Sequence, residues 1–239
     1  MTNGTAYPVL IIDDHELFGS LTTMALRSKG LDARTIAVAC VQDFLQRPTV
    51  DPTGLVLLDL DLGRDDDDRY VNGVDLVEGL RARGWEVLVV SGSVDQTGVA
   101  AAIAAGAIGS VPKSGSFDTL LKAVITAAMD APLMTESERD KWLERHRHDR
   151  ARQRELSRRL ARLSPREREV LELLAEGMRA SAIAQHFVVS MPTVRSQIRS
   201  ILTKLDVRSQ LEAVALFRQR PAPEGTTPGV MRGRASVPG

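Results

Sequence analysis

Cysteine is nearly missing from this sequence: Cys40 is the only one in 239 residues. An internal disulfide is therefore excluded, and the chain suits a reducing compartment. Cys40 follows the apolar run Ile36-Ala37-Val38-Ala39, so it is expected to be a small buried hydrophobe rather than a reactive thiol. Long apolar runs are missing too. None approaches the ~18 residues of a membrane span, and the N-terminus lacks a basic region followed by an apolar one, so no signal peptide is expected. These absences predict a cytoplasmic protein with no membrane partner. Net charge is zero, with 31 Lys and Arg against 31 Asp and Glu, yet the balance hides an opposition. Residues 1–130 carry ten basic and eighteen acidic side chains, a net −8, while residues 131–239 carry 21 and 13, a net +8. Only the second half suits a polyanion. With 43% hydrophobic residues, the length predicts two domains, each with its own core.

What is present in the first half is alternation. Val9 to Ile12 forms an apolar strand ending in Asp13-Asp14-His15. Glu16 to Lys29 follows as a helix, with Leu17, Leu21, Met24 and Leu26 at helical spacing and Gly30 as its stop. Ala33 to Ala37 reads as a second strand and Val41 to Gln46 as a short helix. Val56-Leu57-Leu58 reads as a strand buried on both faces, and Asp59 stands at its carboxyl end. Then come a helix over 75–83, a strand ending in Ser91, an Ala-rich helix over 96–105, a short strand at Ser110-Val111 before Lys113, and a last helix over 116–128. Such a pattern predicts an α/β fold with a doubly wound, five-stranded parallel sheet. Ligands and chemistry collect at the carboxyl ends of its strands, where Asp13, Asp14, Asp59, Ser91 and Lys113 fall. Carboxylates converging there repel one another unless a cation intervenes, and an all-oxygen set suits a hard ion such as Mg²⁺. A carboxylate is also a nucleophile able to accept a phosphoryl group.

In order and spacing, Asp13-Asp14, Asp59, Gly73, Ser91 and Lys113 resemble the receiver domain of two-component response regulators, a flavodoxin-like fold, over residues 7–130. The resemblance implies that Asp59 is the phosphoacceptor and that Asp13, Asp14 and Asp59 hold Mg²⁺. It implies that Ser91 and Lys113 bind the phosphoryl group and take part in the switch, with Ser110 at the place of the usual aromatic switch residue. Two further differences from the family pattern are Asp61-Leu62-Gly63, where a proline is usual, and an insertion over 64–71 that contains Asp65-Asp66-Asp67-Asp68. The acidic run reads as a solvated loop. Asp61, two residues past the acceptor, is placed to tune the lifetime of the phosphoryl group.

Thr135-Glu136-Ser137-Glu138 has the form of a capping box and predicts a helix unbroken to Leu163, about 42 Å long. Its middle, Glu144 to Glu155, is almost wholly polar, as expected of a linker (residues 131–162). Leu156, Leu160 and Leu163 resume an apolar stripe suited to the next domain or a second copy. His146 and His148 do not share a helix face, which argues against a metal there. Ser164-Pro165-Arg166-Glu167 starts another helix sharply. A short helix over 181–187, a tight turn, a helix capped by Ser190 and running to Asp206, and a last helix over 209–218 complete an all-α unit over 163–220. Two short helices joined by a tight turn, the second with an exposed basic face, describe a helix-turn-helix.

The stretch LSPREREVLELLAEG, then IAQHF, then TVRSQIRSILTKLDVRSQLEAVA resembles the LuxR-type domain of NarL/FixJ-class response regulators. By that resemblance Arg195, Ser196 and Arg199 face DNA bases, and Gln197 and Lys204 contact phosphates. Gln197 stands where histidine is frequent, and Arg179 and Ala182 stand where a capping serine and a glutamate are common. Residues 221–239, rich in Pro, Gly and Thr, read as a disordered tail. The resemblance implies a response regulator transcription factor and not an enzyme. A sensor histidine kinase would phosphorylate it, and it would bind double-stranded DNA as a homodimer. Two other readings stand beside this one. An orphan regulator would use the receiver only for dimerisation. A haloacid-dehalogenase-type phosphatase would use Asp59-Leu60-Asp61 as its Asp-x-Asp motif, although that family places the motif on its first strand.

Overall fold

The computed structural model describes residues 6–46, 54–64, 69–92 and 95–219. The Asp65–Asp68 run and the tail at 221–239 lie outside them. The chain divides into two compact units, 1–149 and 150–239.

The first unit is built on five parallel strands: β1 (Pro8–Ile12), β2 (Asp32–Ile36), β3 (Leu55–Leu58), β6 (Glu86–Ser91) and β7 (Gly109–Pro112). Their spatial order is β2-β1-β3-β6-β7, the doubly wound sheet expected. Every residue of β1 and β3 is buried, as covering helices on both faces require. Those helices are α1 (Glu16–Arg27), α2 (Val41–Gln46), α3 (Val74–Ala82), α4 (Gln96–Ala104) and α5 (Phe117–Ala128). Two apolar clusters result, one containing Leu10, Val56, Leu80 and Trp85 and the other Val9, Leu57, Leu120 and Val124. Register then sets the site. Ile12 pairs with Leu58 and Leu58 with Val89, so the residues just past β1 and β3 emerge side by side. Ser91 pairs with Pro112, which brings Lys113 to the same edge.

Three features of this unit differ from expectation. Residues 61–72 include an antiparallel hairpin, β4 (Asp61–Arg64) and β5 (Tyr70–Asn72), where a loop was expected. Leu62 drives its formation by entering the core at 1% exposure. Cys40 is exposed rather than buried: the chain leaves the sheet after Ile36 and Val38–Cys40 forms a 3₁₀ turn over the surface. In α1 only Leu26 of the four spaced apolar residues is buried, alongside Gly19 and Thr22, while Leu17, Leu21 and Met24 face outward. Gly19 lies close to the Thr35 side chain, where a Cβ would sit 3.2 Å from Thr35 Cγ2. Small residues therefore let α1 approach the sheet, and Leu17, Leu21 and Met24 are left outside.

The connector is one helix, α6 (Glu136–Ala161), opened by Thr135, whose backbone N–H and hydroxyl both bond Glu138 Oε2 at 2.8 Å. The boundary between the two units falls inside it. Met134 and Trp142 pack on the first unit, and Arg139 donates to the carbonyls of Ala107 and Ile103 at α4's end. Leu156, Leu160 and Leu163 enter the second core, as their stripe predicted. That core is closed by α7 (Pro165–Ala175), α8 (Ala180–His186), α9 (Met191–Leu205) and α10 (Gln210–Arg218).

Candidate functional site: a carboxylate centre and a basic helix

Asp59 is 3% exposed at the end of β3 and Asp13 is 8% exposed at the end of β1. Lys113 joins them, its Nζ 2.6 Å from Asp59 Oδ2 and 2.7 Å from Asp13 Oδ2. Burial alone would push the lysine's pKa down, but its bonds to the two carboxylates outweigh burial and hold it above its usual value. The Phe18 ring lies 5.0 Å from the ammonium and adds an apolar wall beside it. Asp13, Asp14, His15 and Asp59 place one ligand atom each within 4.8 Å of one another. Three carboxylates and one ammonium leave a surplus of negative charge, and the lysine already stands as a cation between two of the acids. The donor set therefore fits a divalent ion.

Backbone packing fixes Asp59. The Asp59 amide donates to Ile12 O, and the Gly73 amide donates to Leu60 O, each at 2.9 Å. A Cβ at residue 73 would lie 2.0 Å from the Asp59 carbonyl oxygen, so only glycine lets α3 begin so close to Asp59. Ser91, 7% exposed, ends β6 beside this centre, and its carbonyl accepts from the Lys113 amide at 2.8 Å. The hairpin flanks the site: a Cβ on Gly63 would meet Asp14 Oδ2 at 3.4 Å, and the Tyr70 hydroxyl donates to Asp61 Oδ1 at 3.2 Å. Ser110 does not join the carboxylate centre. It lines a cavity of about 210 Å³ with Leu133, Met134, Glu138 and Trp142 of the connector.

In the second unit Ser190 caps α9, accepting from the Thr193 amide at 3.3 Å. Val194, Ile198, Ile201 and Leu205 are buried, which turns Arg195, Ser196 and Arg199 outward on one exposed face. Gln197 is half-buried and its Oε1 is enclosed without a hydrogen-bond partner. Lys204 is tied down: its Nζ lies 2.9 and 2.6 Å from the two oxygens of Glu167. Glu167 also accepts from Ser200 Oγ and from the Ser164 amide. Burial would raise the pKa of this 7%-exposed carboxyl, but the bonds from Lys204, Ser200 and Ser164 prevail and bring it down to about 2. The sequence marked Glu167 only as a capping residue; its second role needed α9 in place.

Residues 9–125 match the family model of the response regulator receiver domain, and residues 161–217 that of the luxR family of bacterial regulatory proteins. Nitrate/nitrite response regulator protein NarP of Escherichia coli is 30% identical over 228 residues, covering 92% of this chain and 98% of that protein. The chain is a NarL/FixJ-class two-component response regulator. It joins a receiver to a LuxR-type DNA-binding domain and belongs to a family of transcription regulators. Transcriptional regulatory protein FixJ of Azorhizobium caulinodans is 30% identical over 211 residues, covering 87% of this regulator and 90% of that one. Among solved structures, response regulator StyR is 26% identical, covers 90% of this chain and 99% of its own, and has a TM-score of 0.44. Among the described residues no helix is long and apolar enough to cross a membrane.

Proposed function

We propose that Asp59 accepts a phosphoryl group from a sensor histidine kinase, and that this controls how the α9 face engages double-stranded DNA as a homodimer in the cytoplasm. One observation carries the reading: the Asp59 carboxylate is buried at the carboxyl edge of the central strand, with Lys113 2.6 Å away. In the transfer an Asp59 oxygen attacks phosphorus in line. The bond from phosphorus to the donor's imidazole nitrogen breaks, and that nitrogen keeps the electron pair. The Lys113 ammonium is held where a phosphoryl oxygen gains charge, and the Ser91 hydroxyl donates to another. Asp13, Asp14 and Asp59 are the residues that would hold Mg²⁺, which supplies neutralisation of charge on the transferring group. Asp61, bonded to Tyr70, tunes the lifetime of the acyl phosphate; equal lifetimes in wild type and Asp61→Asn would refute that role.

On the DNA side, Arg195, Ser196 and Arg199 read base edges, and Gln197 and Lys204 hold phosphates. A lysine carries three donors, so with both Glu167 oxygens engaged Lys204 keeps one for a phosphate. A single such helix reads too few bases for specificity, which favours paired half-sites and a dimer. The Asp-x-Asp phosphatase reading loses ground, because Asp59 follows the third strand in chain order and lies mid-sheet.

Mass spectrometry after incubation with acetyl phosphate and Mg²⁺ tests the acceptor. One added phosphoryl group, absent in Asp59→Ala and accompanied by dimerisation, is expected. No phosphorylation by either acetyl phosphate or a kinase would favour a receiver used only for assembly.

A further inference from the structure

His15 is the one member of the carboxylate centre to which the phosphotransfer reading gives no task. Its Nδ1 lies 2.6 Å from Asp14 Oδ1 and 3.4 Å from Asp13 Oδ1. The backbone N–H of His15 donates to Asp13 Oδ1 at 2.8 Å, which fixes the start of the residue beside the acids. Among the described residues the ring makes no other ion pair or hydrogen bond. It is 67% exposed, and although His15 is the N-cap of α1 its side chain makes no capping bond. A ligand nitrogen of His15 falls within the same 4.8 Å span as the carboxylate oxygens. Two metal–ligand bonds of ~2.1 Å placed opposite one another cover ~4.2 Å, so closing the set on one ion needs shifts of a few tenths of an ångström.

We propose that His15 supplies an imidazole ligand to a divalent ion held by Asp13, Asp14 and Asp59, making this a mixed oxygen–nitrogen site suited to first-row transition ions. The inference rests on the reading of the three acids as the metal site and adds the nitrogen to it. The physical reason is donor softness. Carboxylate oxygens alone suit Mg²⁺, whereas imidazole adds affinity for Co²⁺ or Ni²⁺ and little for Mg²⁺. On binding, any Nδ1 proton would pass to Nε2 or to solvent, and Nδ1 and the Asp14 carboxylate, now 2.6 Å apart, would both turn to the ion. Lys113, which bridges Asp13 and Asp59, keeps those two carboxylates oriented for it.

The full chain, His15→Ala and Asp59→Ala are titrated with CoCl₂ and with MgCl₂ by calorimetry, and Mn²⁺ bound to wild type and His15→Ala is examined by pulsed EPR for coupling to ¹⁴N. Loss of His15 removes no helix cap, and a thermal melt verifies folding. His15→Ala is expected to weaken Co²⁺ binding at least tenfold and Mg²⁺ binding less than twofold, and the ¹⁴N coupling present in wild type should disappear. Equal losses for the two ions, no loss for either, or wild-type Mn²⁺ without ¹⁴N coupling would overturn the role of His15 while leaving the three acids in place. Tight Co²⁺ binding that survives Asp59→Ala lies elsewhere on the chain and overturns it as well. Wild-type protein that binds neither ion would remove the metal reading itself.

Discussion

Both units set a lysine against buried carboxylate, and the two arrangements differ in their charge count. In the receiver, Lys113 faces Asp13 and Asp59 with Asp14 close by, so negative charge exceeds positive. In the DNA-binding unit, Lys204 faces Glu167 alone, and Ser200 and the Ser164 amide complete the carboxylate's hydrogen bonds. The Glu167 carboxylate is balanced and fully bonded, and it holds helices together. A surplus of buried carboxylate is costly until a cation arrives. The same two residue types thus mark structure in one place and chemistry in the other.

The largest expected effect comes from unbalancing the satisfied pair. Glu167→Gln should lower the stability of the second unit by about 3 kcal/mol, the worth of a carboxyl held near 2 instead of 4.5. Because the folded pKa lies below the unfolded one, this contribution is full above pH ~4.5 and is lost as pH falls toward ~2. Helical circular dichroism during urea unfolding measures it. Trp85 and Trp142, the only tryptophans, both lie in the first unit, so their fluorescence should report an unchanged transition there.

Relieving the surplus should act in the opposite direction. Without metal, Asp13→Asn should stabilise the first unit by about 1–2 kcal/mol, because one of the crowded charges is gone. Mg²⁺ should raise the melting temperature of wild type and should not raise that of this variant. Tryptophan-detected melts with and without Mg²⁺ check both; a destabilised Asp13→Asn would show that the lysine bridge matters more than the repulsion.

Two smaller changes leave both lysine clusters intact and serve as controls. Val188, in the turn before α9, is 91% exposed and adopts φ +54°, a left-handed conformation costly for a β-branched residue. Val188→Gly should raise the melting temperature of the second unit, a gain of about 1 kcal/mol after the flexibility of glycine is counted. Arg179, N-cap of α8, makes no capping bond, as the missing serine predicted. Arg179→Ser should add about 0.5 kcal/mol, read as a small shift in urea midpoint. Neither should alter the response to Mg²⁺.

The parallel sheet was legible because β1 and β3 are apolar throughout and end in aspartates. The helix-turn-helix was legible from Ser164, Pro165, Ser190 and the stripe Val194, Ile198, Ile201. Other features needed three dimensions. The hairpin is not legible in the sequence because its strands are four and three residues long and adjoin an acidic run. The burial of α1 was not legible, since Gly19, Thr22 and Leu26 meet the sheet while Leu17, Leu21 and Met24 at the same spacing do not. In α6 isolated residues such as Trp142 and Arg139 gave no stripe, yet they attach the start of the connector to the receiver. His15 was visible beside Asp13-Asp14, but adjacency in sequence does not show that its ring reaches the same few ångströms as Asp59.

Glu167 has a consequence for how the second unit assembles. It closes the capping box of α7 with Ser164 and also receives Ser200 and Lys204, more than 30 residues later. A nascent α7 standing alone would expose a carboxylate with half its partners missing. Only when α9 docks are all of them satisfied. The start of α7 and the end of α9 are therefore won or lost in a single step, which favours all-or-none folding and disfavours a population in which α9 frays while the rest of the unit stays formed.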